Sequence, residues 1–449
     1  MRSVAPGLGR WPSSRGRRRW SVASLSAATA LVAGVAVAFS VLPQPSAAPP
    51  PSAHAPELNL PRVPWAGGSA YWAQFSKARA AGWANPHFFP IALWWGGVTT
   101  DSDVRRDKAL GINTYVLLND STPYSLLARN DMYFIGNALN RSFTSKSRNW
   151  VGDFLDDEID GRVTPVGAAE SQLTAERDAF GDDGRFKYAN FTSQIVGGYM
   201  DDAAANAFAN DFTDVVSIDS YYYTDGGCDT IWYQIENRRF PPADQAHCSS
   251  ASSYGHTVRA LRARDASDGK PQAVWNFIED LSGAPSGTPE PKYIQPGQLE
   301  GAVMDSVIRG ASGIIYFNQS MSGACETGNV TATGRDSAGC GAPQLKAMQH
   351  VDAVVRSLAP VLNTQSYRWT FGTGLDTMLK DRDGYAYIFA MTDGTGTPGS
   401  RTLALPPGIG GAVAQAVGEN RSIAISGGKF SDTFDEEYTY HIYKVALSR

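Results

Sequence analysis

From about Pro64 to Leu358 short apolar, β-rich runs alternate with stretches whose apolar residues recur at helical spacing. The β-rich runs are Phe89–Trp94, Thr114–Leu118, Met132–Ile135, Val151–Leu155, Phe186–Asn190, Val215–Ile218, Ala273–Ile278 and Ile314–Asn318. Helical patterns between them include Ser102–Leu110, Ala168–Ala179, Ala203–Ala209, His256–Arg264 and Glu300–Gly310. Eight strands joined by crossovers predict an α/β fold, a parallel sheet closed as a (β/α)8 (TIM) barrel over residues 56–362. The polar stretch Ala138–Asn149 is its weakest part, lacking an apolar stripe where a third helix is expected. An open doubly wound sheet is the competing architecture. It wants a glycine-rich phosphate turn after the first strand, which Trp94-Trp95-Gly96-Gly97 does not provide.

After about Ser366 helical periodicity stops. Tyr385–Met391, Arg401–Leu405, Arg421–Ser426 and Tyr438–Val445 are β-rich and separated by glycine-containing turns. Residues 363–449 are therefore expected to form a small antiparallel β-sandwich.

Residues 1–55 differ from both. Arg17-Arg18-Arg19 precedes a weakly apolar run from Val22 to Leu42, and a Pro/Ala/Ser-rich stretch ends in Ala53-His54-Ala55. This pattern predicts a secretory signal peptide with a linker. An uncleaved N-terminal membrane anchor is the alternative, since the run is long enough to span a bilayer and Pro56 would follow the cut. Either outcome exports the remainder, so the expected location is secreted or extracytoplasmic. Four cysteines, Cys228, Cys248, Cys325 and Cys340, suit that compartment. Two local bridges, Cys228 to Cys248 and Cys325 to Cys340, are the simplest pairing; a zinc site would want a C-x-x-C, which is absent.

Composition narrows the ligand. The chain has 39 Lys+Arg and 44 Asp+Glu, and six of those arginines lie in the first 55 residues, which hold no acidic residue. The remaining 33 basic and 44 acidic side chains leave a formal charge of -11. Such a body repels a phosphate backbone, which argues against nucleic acid. No metal motif, P-loop or G-x-S-x-G elbow is present, and no cofactor is implied.

In a (β/α)8 barrel chemistry sits at the carboxyl ends of the strands. Here those ends carry Trp94 and Trp95, Asn119, the run Asp156-Asp157-Glu158-Ile159-Asp160, Asp219 and Tyr221, Glu279, and Asn318. Carboxylates, amides and aromatics with almost no His, Lys or Arg suit a neutral, hydroxyl-rich ligand such as a carbohydrate. Hydrolysis of a glycosidic bond needs one carboxyl group to protonate the leaving oxygen and a second to attack the anomeric carbon or activate water.

Glutamates after strands four and seven resemble the catalytic pair of clan A retaining glycoside hydrolases. The segments Phe154-Leu155-Asp156-Asp157-Glu158 and Val274-Trp275-Asn276-Phe277-Ile278-Glu279 are similar to the strand ends that carry it. The resemblance implies Glu158 as acid/base and Glu279 as nucleophile. Trp94, Trp95, Asn119, Asp156, Asp157, Asp219, Tyr221 and Asn318 are then expected to shape the sugar site. Many members carry Asn immediately before the acid/base glutamate, where Asp157 stands here.

A plainer account is available for the acidic runs, because carboxylates before a helix also cap its N-terminus. Strand alternation adds a second choice: Asp157 and Asp153 share one face, Asp156 and Glu158 the other, so a register change of one residue would exchange them. The rival functions are a catalytically inactive carbohydrate-binding barrel and an inverting hydrolase that uses another carboxylate such as Asp219.

Overall fold

The computed structural model describes residues 58–197, 199–224, 248–283, 292–318, 320–321 and 341–448, with a short ribbon pairing residues 234–235 and 238–239. The predicted leader lies outside the described residues, as do Cys228, Cys325 and Cys340. Cys248 is buried and disulfide-bonded.

Eight parallel strands close a barrel in chain order: β1 Ile91–Trp94, β2 Thr114–Val116, β3 Tyr133–Ile135, β4 Trp150–Asp157, β5 Phe186–Phe191, β6 Val215–Ile218, β7 Ala273–Glu279 and β8 Gly313–Phe317, with β8 pairing β1. Closure excludes the doubly wound alternative. Side chains alternate as a closed barrel requires. On β7, Trp275 and Phe277 face the interior, while Val274 and Ile278 face the surrounding helices. Trp72 and Trp83, from the segment before β1, close the bottom against Phe186 and Trp275.

Helices α1 Asp101–Leu110, α2 Tyr124–Arg129, α3 Ile159–Arg162 with α4 Val166–Phe180, α5 Asp202–Asn210, α6 Ala251–Asp265, α7 Pro296–Ile308 and α8 Ala342–Leu362 follow the other strands. The helix expected over Ala138–Asn149 does not form; the β3–β4 connection is a series of turns. In its place Phe143 packs on Phe134 and Trp150, so one aromatic ring covers what a helix would otherwise cover.

The C-terminal part holds a six-stranded antiparallel sheet. Its strands are β9 Ser366–Tyr367, β10 Leu375–Arg382, β11 Tyr385–Thr392, β13 Val413–Ala416, β14 Arg421–Ala424 and β16 Tyr440–Ala446. Strands β12 Gly399–Ala404 and β15 Lys429–Phe434 form the opposing pair. One face of the large sheet (Ile388, Tyr443, Val445) packs on Leu403, Phe430 and Phe434; the other (Met378, Phe389, Met391, Ile442) joins the apolar cluster of the barrel helices. The segment around residues 58–63, expected with the barrel, belongs to the sandwich. Leu58 lies in its core, Arg62 bridges Tyr367, and Val63 N–H bonds Ser366.

Candidate active site

The mouth of the barrel has an aromatic floor. Trp94 packs edge-on against Phe154 at 5.6 Å and Phe277 at 5.2 Å, and only 5% of it is exposed. It is thus the top layer of the core beneath the site, and Phe317 on the same level carries the ring of Tyr221 at 5.1 Å. Three non-glycine residues just beyond barrel strands take positive φ: Trp95 (55°), Leu117 (58°) and Glu158 (50°). Left-handed backbone at such residues costs of order 1–3 kcal/mol and persists where the surroundings impose it, often at functional sites.

The end of β4 settles the parity question. Phe154 pairs with Tyr188 and Asp157 with Asn190, so β4 uses three steps where β5 uses two. This β-bulge adds one residue and changes the face of everything after it. Asp157 therefore shares the interior face with Asn190, whose Nδ2 donates to Asp157 Oδ1 at 3.0 Å. Asn190 is itself fixed by Ser217 Oγ (2.7 Å to its Oδ1), which pairs with the Tyr188 hydroxyl at 2.7 Å.

Asp156 is turned the other way, a correction to its expected place in the sugar site. It accepts from Arg162, from Gln172 Nε2 at 2.6 Å and from the Asp157 N–H at 2.7 Å, tying the strand end to the following helices. Asn119 likewise stands apart: it is exposed and its carbonyl closes a turn with the Thr122 N–H.

Glu158 precedes α3 yet makes no side-chain capping bond, so helix capping does not account for it. Its N–H is bound to the Asn190 carbonyl at 2.9 Å. The turn beyond is held by Asp160, which accepts from the N–H (3.0 Å) and hydroxyl (2.6 Å) of Thr192. The side chain of Glu158 lies within hydrogen-bonding reach of Asp219, which follows β6. Burial first, then the charges of Glu158 and Asp157, drives Asp219 well above the carboxylate range. Asp157 is pushed up to about 7, mainly by burial, with Asn190 pulling down and Glu158 pushing up.

Glu279 ends β7 on the same face as Trp275 and Phe277 and is fully buried. Tyr254 and Thr224 donate their hydroxyls to it, and the Tyr223 N–H approaches Oε1 at 3.1 Å. Burial raises its pKa while these donors oppose the rise. Asp280 beside it faces outward; neither of its oxygens has a partner among the described residues, and burial, then the charge of Glu279, pushes its carboxyl well above the usual range.

Tyr221 joins the two halves. Its hydroxyl is buried without a hydrogen-bond partner among the described residues. Its pKa is raised by burial and by the charges of Asp219, Glu158, Asp157 and Glu279 together. Carboxyl groups from the ends of β4, β6 and β7 thus surround one unsatisfied phenol. Asn318, from the end of β8, donates to the Trp95 carbonyl at 3.2 Å and links the rim across the β1–β8 seam.

Of the predicted site, Asp157, Glu158, Asp219, Tyr221 and Glu279 come together, Trp94 lies beneath and Trp95 with Asn318 form part of the rim. Asn190, Thr224 and Tyr254 complete it without having been singled out. Asn190 was legible as a polar end to β5; Thr224 and Tyr254 reach Glu279 from a loop and a helix, and no local pattern marks them. Among the described residues no cluster of His, Cys, Asp and Glu has the form of a metal site.

No protein-family model and no curated protein matches this sequence. Among solved structures the chain is similar to a GH30 endoxylanase from Clostridium papyrosolvens C71, at 12% identity over 80% of this chain and 97% of that one, with a TM-score of 0.43. It is also similar to an alpha-amylase from Anoxybacillus, at 8% identity, 81% and 99% coverage and a TM-score of 0.46. A maltogenic alpha-amylase from Thermotoga neapolitana shares 9% identity over 81% and 100% of the two chains, with a TM-score of 0.45. At such identities function has to be read from the site itself.

Proposed function

We propose that the chain is a glycoside hydrolase acting on a polysaccharide or glycoconjugate, with Glu158 as general acid/base, Glu279 as nucleophile and no cofactor. The observation that carries the reading is the convergence of carboxyl groups from three strand ends around the hydroxyl of Tyr221. Glu158 protonates the leaving oxygen, with Asp219, whose carboxyl is driven upward by burial, beside it as a proton source. Glu279 then bonds to the anomeric carbon as the glycosidic bond breaks. Water, giving its proton back to the Glu158–Asp219 pair, releases the sugar from Glu279. Asp157, held by Asn190, takes the place from which the clan A asparagine contacts the sugar, and Trp95 and Asn318 border the cleft.

One observation favours a second reading. Glu279 has no exposed surface, whereas Asp219 is partly exposed. Once ionised, Asp219 would then activate water directly, with inversion, and Asp157 rather than the adjacent Glu158 would protonate the leaving oxygen. The configuration of the first sugar released, followed by NMR, separates the two: retention for attack by Glu279, inversion for Asp219. Retaining pairs stand about 5–5.5 Å apart and inverting pairs about 6.5–9.5 Å.

Reducing-end release from a panel of polysaccharides tests the activity. Glu158→Gln should lower kcat roughly 100-fold or more, and Glu279→Gln about a thousandfold or more. Glycan binding without turnover by the wild-type protein would establish the inactive-barrel alternative instead. Export belongs to the same proposal and rests on residues 1–55 and the four cysteines. A shortened N-terminus on the protein recovered from medium would distinguish cleavage from a membrane tether.

A further inference from the structure

Glu437 sits in the turn between β15 and β16 of the sandwich, yet its side chain is bound to the barrel. Oε1 accepts from the Tyr223 hydroxyl at 2.6 Å, and Oε2 accepts from the Ala251 N–H at 2.9 Å. Its own carbonyl accepts from Thr392 Oγ1 at 2.8 Å, which anchors the turn to β11. Ala251 is the first residue of α6, and Ser250 before it makes no side-chain cap. Glu437 therefore supplies from another domain the carboxylate that a helix N-terminus favours.

Both groups it holds lead to Glu279. Tyr223 gives Glu279 its backbone N–H, and Tyr254, on the first turn of α6, gives its hydroxyl. The two rings stack at 5.8 Å and 27°, and the Tyr254 oxygen also accepts the Tyr222 N–H at 3.1 Å. Two of the donors to Glu279 thus hang on segments clamped by one side chain of the sandwich.

We infer that Glu437 is a positioning residue through which the β-sandwich fixes the ionisation and orientation of Glu279. The inference deepens the proposed function and rests on Glu279 taking part in it. Titratable groups facing Glu279 are Tyr221, Tyr223 and Tyr254 from the β6 turn and α6, with Asp280 beside it. Burial drives all four upward, and the carboxyl groups of Asp219, Glu158 and Asp157 lie beyond Tyr221, with that of Glu437 beyond Tyr223.

The test compares Glu437→Ala, Glu437→Gln and Tyr223→Phe in the full chain. Glutamine keeps both links, because its oxygen can accept from Ala251 and its amide can donate to the Tyr223 oxygen. Alanine loses both, and Tyr223→Phe loses one. The Glu279 carboxyl is followed by carbon NMR without substrate, its signal assigned by its loss in Glu279→Gln. The alanine variant should raise its midpoint by about half a pH unit or more, since donors to the ionised form hold a carboxyl down. On the polysaccharide the wild type cleaves best, kcat should fall about tenfold with KM within about twofold, and the acidic limb should move to higher pH. Glutamine should restore both readouts, with Tyr223→Phe intermediate. An unchanged midpoint in alanine overturns the inference, as does a glutamine variant as impaired as alanine. Should alanine fail to fold, Tyr223→Phe decides by the same midpoint. If no glycan is cleaved at all, the hydrolase reading fails while the NMR titration still decides the role of Glu437.

Discussion

At the scale of single residues, the site is set by what burial does to carboxyl groups. Asp157 titrates near 7 in the folded chain and near 3.8 when exposed. The folded state therefore binds the proton more readily, and keeping Asp157 ionised costs stability. That cost is absent below about pH 4, grows through the window between the two values and is complete above 7. Asp157→Asn keeps an oxygen for the Asn190 amide and removes the charge. Its melting temperature should exceed the wild-type value at pH 8 and match it at pH 4; an equal difference at both would contradict the assignment. Sequence alone showed an acidic run here but not which member faced inward, because the deciding fact is an extra residue in β4 that no side chain announces.

At the scale of elements, the β4–β5 pair carries the alignment that the site depends on. Asp153 and Lys187 stand opposite each other on the outer face, their charged atoms 2.6 Å apart and both buried. Asp183 adds a second carboxylate at 3.2 Å, and the Arg185 guanidinium lies over Trp150 at 3.5 Å. Burial lifts Asp153 to about 6 against the pull of Lys187. Removing one partner of such a pair leaves the other charge buried, a loss of about 3 kcal/mol. Urea unfolding of Asp153→Ala should show that loss, and Asp153→Leu with Lys187→Met should recover most of it. If the single and double variants unfold alike, the pair has no part in holding the strands. All eight barrel strands were legible as β-rich runs. The two-residue strand β9 and the charged β10 were not, since Asp376 and Lys380 break the expected alternation; in the fold Asp376 pairs with Arg309 and Lys380 donates to the Thr364 carbonyl.

For the whole molecule, one apolar cluster runs from the barrel helices into the large sheet of the sandwich. The Arg309 side chain, beyond the end of α7, pairs with the fully buried Asp376 of β10. Stability of the two parts is therefore coupled. Amides of β11 and β16 should exchange hydrogen with the same opening free energy as those of β4 to β7, and Arg309→Ala should lower both together. Separate exchange free energies would show two independently folding units. This coupling is also the physical basis on which a sandwich residue can act on Glu279.

Periodicity and strand-end chemistry were enough to establish eight crossover-linked strands, a β-rich tail and an acidic, amide-rich mouth, because alternation and helical spacing are local consequences of burial. The missing helix after β3, the outward turn of Asp156, the inward turn of Asp157 and the reach of Glu437 were decided only in three dimensions. Each depends on which segments meet: a ring filling a helix's place, a bulge set by the neighbouring strand, a carboxylate crossing between domains. Such meetings join residues as far apart as Tyr223 and Glu437, and nothing in the spacing of either along the chain records the other.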